Sequence, residues 1–229
     1  MAFGDLISES NAGATGATSV SVNITVATAG SLLVCVHFTG DSDSLAPSGF
    51  TEAVAVTDSG NADQGAIYWK IAAGGEATVA PGSSVSDEHC AFVLELEGPW
   101  ESSPVDQIAS NDATSETTTS SGTTAVTTAD DEVAVAGMTR RNGASTTSSY
   151  SNSFTGIGSQ SSGGSKRVSA GYKVLTAAGT VETTITWTNA QVHMGMIATF
   201  MKTGGGGGGG GEPGDKAVHA MIKQPVKHI

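Results

Sequence analysis

Apolar residues in this chain come in short alternating runs. Val20-Ser21-Val22-Asn23-Ile24-Thr25-Val26 and Val181-Glu182-Thr183-Thr184-Ile185-Thr186-Trp187 put most of their apolar side chains on one parity, the period of a β-strand with one dry face. Leu-, Glu- and Lys-rich stretches at helical spacing are hard to find, so little helix is expected.

The runs recur in order. Thr25–Val34 parallels Ala125–Ala134 at an offset of 100, and Gly49-Phe50-Thr51 parallels Ser153-Phe154-Thr155 at 104. Tyr68–Val79 parallels Gly171–Glu182 at 103, and His89–Leu94 parallels His193–Ala198 at 104. Matching order and spacing indicate one unit of four or five strands present twice, in copies covering about residues 20–98 and 120–202.

Setting one copy on the other assigns faces, because a solvent-facing position tolerates charge in its counterpart. Glu132 falls on Leu32, which points that parity outward and leaves Leu33, Cys35, Val133 and Val135 as core. Cys90, Phe92, Leu94 and Leu96 fall on Met194, Met196, Ala198 and Phe200 as core, with Glu95, His89 and His193 outside. Leu32, Val34, Val36 and Phe38 then form an apolar outer strip, a candidate partner surface unless the same chain covers it. Two such units facing one another would share a core, so residues 1–203 are expected to be one all-β, jelly-roll-like sandwich; two separate small sandwiches are the alternative.

Composition narrows the function classes. Aromatic residues are 5%, charged residues 14% and glycines 31, a make-up suited to short strands and many turns. Net charge is −12, and residues 1–100 carry twelve acids against Lys70 alone, a field that repels nucleic acid. Neither a secretory signal pattern nor a membrane-length apolar run is present, so synthesis in the cytosol without membrane insertion is expected. Cys35 and Cys90 each sit in an apolar run, as buried thiols do; one buried bridge between them is the alternative.

Ser110–Thr128 and Asn142–Ser165, rich in Ser, Thr and Gly, are expected as long surface connections. Gly204–Gly211 is a linker, spanning roughly 16 Å as a coil and at most about 28 Å extended. It leads to residues 212–229, where three lysines accompany Val218, Met221, Ile222, Val226 and Ile229. Apolar and mildly basic on an acidic body, this peptide is a candidate docking element for a neighbouring sheet edge or groove; a frayed terminus is the plain alternative.

Candidate chemistry is sparse. Glu95 and Glu97 share a parity about 7 Å apart, a weak glycosidase pair beside the simpler reading of a wet strand face. The five histidines have no metal-ligand spacing, although His89 and His193 could meet as a symmetric pair. Asp41-Ser42-Asp43 and Asp58–Asp63 are oxygen-rich turns without a full calcium-loop pattern. No catalytic, cofactor-binding or metal residue is assigned, and a non-enzymatic protein is expected.

Leu32-Leu33-Val34, Pro47-Ser48-Gly49-Phe50-Thr51, Tyr68-Trp69-Lys70 and Cys90–Gly98 occur in an order that resembles a recurrent β-sandwich domain of tailed-phage structural proteins, similar to domains of bacterial surface proteins. The likeness covers residues 25–110 best. It implies a virion component, a capsid decoration or head-fibre protein or a tail appendage, oligomeric and in contact with other virion proteins. The alternative is a carbohydrate- or receptor-binding module in which Trp100 or Tyr150 stacks on a host-surface glycan.

Overall fold

The computed structural model describes residues 1–141 and 149–204. Among these residues thirteen strands run in chain order: β1 Leu6–Ser19, β2 Val22–Asn23, β3 Leu32–Thr39, β4 Ser44–Leu45, β5 Thr51–Thr57, β6 Gln64–Ile71, β7 Thr78–Val79, β8 Gly82–Leu96, β9 Trp100–Ser120, β10 Glu132–Arg141, β11 Thr155–Ser161, β12 Lys166–Leu175 and β13 Thr184–Lys202. Helix is absent among the described residues.

A six-stranded sheet has the order β1-β8-β3-β6-β5 with β4 also on β8, a five-stranded sheet has the order β11-β12-β10-β13-β9, and β2 pairs with β7. All pairings are antiparallel. Each large sheet draws on one half of the chain, and β1, β8, β3, β6 and β5 occupy the same relative places as β9, β13, β10, β12 and β11. The sheets meet as two blocks and do not exchange strands as a jelly roll would.

The register corrects the face assignment. Leu32 lies opposite Leu96 and Ile71, whereas Val133 lies opposite Phe200 and Val174. Val133, not Glu132, therefore stands in the place of Leu32, and a one-residue shift exchanges the two faces of a strand. Leu32, Val34, Val36 and Phe38 do not form an outer strip. They are buried between the sheets with Val133, Val135, Phe92, Leu94, Met196 and Phe200. Burying each large side chain of that kind contributes about 1.5–3 kcal/mol.

Leu33 and Cys35 instead face outward, beneath Val20, Val22, Ala27 and Val79. On the second sheet Ala134, Ala136 and Met138 lie beneath Tyr150, Phe154, Val181 and Trp187. Both central strands are thus covered on both faces, which explains their near-continuous apolar sequences. Cys35 and Cys90 belong to opposite faces of one sheet and are free thiols, with burial raising both pKa values.

Two low-complexity stretches are more ordered than their composition suggests: of Asn142–Ser165, expected as a connection, Thr155–Ser161 is β11, paired with β12, while 142–148 lie outside the described residues. Residues 110–120 lie in β9, paired with β13, so they are not a connection; Ser and Thr suit an edge strand with a wet side. Beyond β9, Ser121, Thr124 and Thr127 donate their N–H groups to the carbonyls of Thr183, Val181 and Gly179. Their hydroxyls accept the N–H groups of the same three residues at 3.1, 2.9 and 3.1 Å. A three-residue repeat of hydroxyls thereby acts as a ladder where a strand would use carbonyls. The alternating run from Val20 to Val26 is likewise a covering segment, with only Val22–Asn23 in a strand.

Candidate functional site

The end of the sandwich that carries the β5–β6 turn, the β11–β12 turn and the last residue of β10 holds a buried polar cluster. Asp63, 1% exposed, lies in the turn Asp58–Asp63, where Asp58 accepts the Gly60 N–H at 2.8 Å and the Asn61 amide at 2.8 Å. These bonds hold the turn. Across the sheet interface the Lys166 ammonium meets both Asp63 oxygens at 2.7 and 2.8 Å, and Arg141 reaches the same carboxylate through Nε at 2.5 Å and Nη2 at 3.0 Å. Glu88 accepts the Ser162 hydroxyl and the N–H groups of Ser165 and Lys166. Partial burial works against its carboxylate, but these bonds hold its pKa below the ordinary value. Lys166 also lies 5.7 Å from the Phe38 ring centre. Two carboxylates of the first half thus clamp two cations and a turn of the second.

On the outer face of the first sheet, His37 and His89 stack at 5.3 Å with Nε2 of the first 3.1 Å from Nδ1 of the second. The Ala17 carbonyl accepts from His89 Nε2 at 2.9 Å, and His37 Nδ1 lies 2.8 Å from the Ser44 hydroxyl. The Tyr68 hydroxyl donates at the Ser44 end of the chain, 2.7 Å from its carbonyl and 2.8 Å from Oγ. One assignment of neutral tautomers satisfies every atom. Burial, then the charge of His89, lowers the His37 pKa to about 3, too low for a general base at neutral pH. The serine–histidine contact is a buried tie for β4.

The other sequence candidates are dispersed. Glu95 is 2% exposed, not on a wet face, and accepts from Ser8 Oγ at 3.0 Å, Thr28 N at 2.7 Å and Ser31 Oγ at 3.0 Å. Those bonds pin the covering segment of the first half and leave the carboxylate no substrate to meet. His89 and His193 occupy the outer faces of different sheets, so they do not form a pair. Burial lowers the His193 pKa. Trp100 and Tyr150, assigned above to sugar stacking, are each 8% exposed. Trp100 packs on Phe3 with ring centres 4.7 Å apart, and the Tyr150 hydroxyl lies 3.2 Å from Ser169 Oγ. Among the described residues no group of three or more His, Cys, Asp or Glu is placed to hold a metal ion, and no helix is long and apolar enough to cross a membrane.

An open groove of about 580 Å³ lies between Thr123, Asn152, Lys173, Val174, Thr180 and Glu182. Lys173 donates to the Asn152 carbonyl at 3.0 Å, and Glu182 accepts from Ser120 and Thr123. The ends of the described chain meet elsewhere. Gly4 N–H donates to the Glu97 carbonyl, Thr203 bonds to Pro99 and Trp100, and Gly204 N–H donates to Glu101 at 2.8 Å. The chain start, the connector between halves and the beginning of the polyglycine run thus share one pole. Val218, Met221, Ile222, Val226 and Ile229 lie outside the described residues. No protein-family model, curated protein or solved structure matches this chain.

Proposed function

We propose that this chain is a non-enzymatic structural protein of a phage virion, of the capsid-decoration or head-fibre kind, made by duplication of one sheet-forming unit. The shared pole carries the reading. The connector between the halves and the start of the polyglycine run lie at one end of the body, so a peptide that follows that run is delivered from that end, with the sides and other pole left outward. The equal strand order of the sheets supports duplication. The apolar, basic peptide 212–229 then serves as the attachment to other virion proteins, including further copies of this chain.

Deletion of residues 204–229 is expected to abolish incorporation into particles while the body keeps its β circular dichroism and melting temperature. Incorporation of the shortened chain at the wild-type level refutes the attachment role. The groove lined by Lys173 and Glu182 favours a second reading, a carbohydrate- or receptor-binding module of a tail appendage. Oligosaccharide binding by the tailless body, lost in Lys173→Ala, separates that reading from the first.

A further inference from the structure

Each half lays a covering segment across its outer sheet face and pins it with acid side chains, but the halves do so differently. In the first, Glu95 alone takes the Thr28 N–H and is further satisfied by Ser8 and Ser31. In the second, Thr199 stands in the place of Glu95, opposite Ala134 as Glu95 is opposite Leu33. The task falls to two acids. Asp106 accepts the Thr128 N–H at 2.7 Å and its hydroxyl at 2.9 Å, and Glu132 Oε1 accepts the Ala129 N–H at 3.2 Å.

Glu132 is fully buried within hydrogen-bonding reach of Asp106, and its Oε2 has no donor among the described residues. A buried carboxylate oxygen without a donor is costly, and two adjacent carboxylates resist ionising together. One proton on Glu132 relieves both, because a neutral carboxyl carries a donor of its own and does not repel Asp106.

We propose that segment 121–131 is latched to the second sheet by a proton held on Glu132 beside Asp106, and loosens when that proton leaves, while segment 20–31 of the first half does not respond. The charges on the surrounding elements are committed elsewhere. Lys173 on β12 bonds the Asn152 carbonyl, Lys202 on β13 meets Asp131, and Asp130 accepts the Ala178 N–H. Burial first, and then Asp106 against the opposing Thr199 hydroxyl, pushes the Glu132 carboxyl up to about 7. A raised carboxyl pKa contributes stability that is complete below the unfolded value and lost as pH rises through the folded one. The latch is therefore closed in mild acid and open in mild alkali. Thr123 of the same segment walls the groove.

Amide hydrogen exchange on the full chain at about pH 5.5 and 8.5, corrected for intrinsic rates, tests this, with residues 20–31 as an internal control. Protection of the Thr128 and Ala129 amides is expected to fall about tenfold or more at the higher pH, with no parallel fall at Thr28. In Glu132→Gln, whose amide mimics the protonated acid, protection is expected to be equal at both pH values. Asp106→Asn serves the same purpose if that variant does not fold. Unchanged wild-type protection, a retained fall in the variant, or an equal fall at residues 20–31 overturns the proposal.

Discussion

Replacing Asp63 with Asn removes the charge that joins the two halves at the loop end of the sandwich. The carboxylate is 1% exposed and Lys166 is 8% exposed, with Nζ at 2.7 and 2.8 Å from the two oxygens. Removing one partner of such a pair leaves the other charge buried, at about 3–5 kcal/mol. Arg141 is 33% exposed and turns to water, so it adds little. At about 2–4 °C per kcal/mol for a body of this size, the melting temperature is expected to fall by roughly 10 °C. Urea unfolding should give the same loss and change little when salt is raised, because buried pairs are weakly screened. The double variant Asp63→Leu, Lys166→Met should recover to within about 1 kcal/mol of wild type, since an apolar pair can replace a buried ion pair. A loss below about 1 kcal/mol for Asp63→Asn, or a double variant as unstable as the single one, refutes the clamp.

Three other outcomes follow from named contacts. His37 must stay neutral in the fold, so it contributes stability above its unfolded pKa that is lost as pH falls toward about 3. In a Glu132→Gln background, which removes the opposing pH dependence, stability should drop by about 2 kcal/mol between about pH 7 and pH 5; a flat urea-unfolding profile contradicts this. A Cβ at Gly195 would collide with the Ser120 carbonyl, where the chain leaving β9 turns over β13. Gly195→Ala should therefore cost about 1–3 kcal/mol in thermal unfolding, whereas Gly179→Ala, with open space around it, should cost much less. Cys35 and Cys90 should resist alkylation in the native state and both react in urea as free thiols; loss of either thiol to a disulfide by mass spectrometry contradicts their placement on opposite faces.

The site candidates were less legible than the strands, for reasons particular residues make clear. Glu95 follows the alternating pattern of a wet strand face, and only the return of residues 28–31 over it makes it a buried acceptor. Asp63 and Lys166 are far apart in sequence, and only the packing of one sheet on the other joins them. His37 and His89 come together because β3 and β8 are neighbours, a pairing that His spacing does not encode. Trp100 looked like a loop aromatic because its cover, Phe3, lies at the other end of the first half.

Local chemistry alone determined that the described body would be all β, because a period of two in Val, Ile and Thr runs, with Gly and Ser between them, leaves helices no apolar stripe. Tertiary structure alone decided which parity faces inward. Leu32 to Phe38 and Val133 to Met138 are apolar or small on nearly every position, so their own pattern marks neither face. Hydrogen bonds to two neighbouring strands set the register, and moving the match by one residue turned the supposed outer strip into the centre of the core.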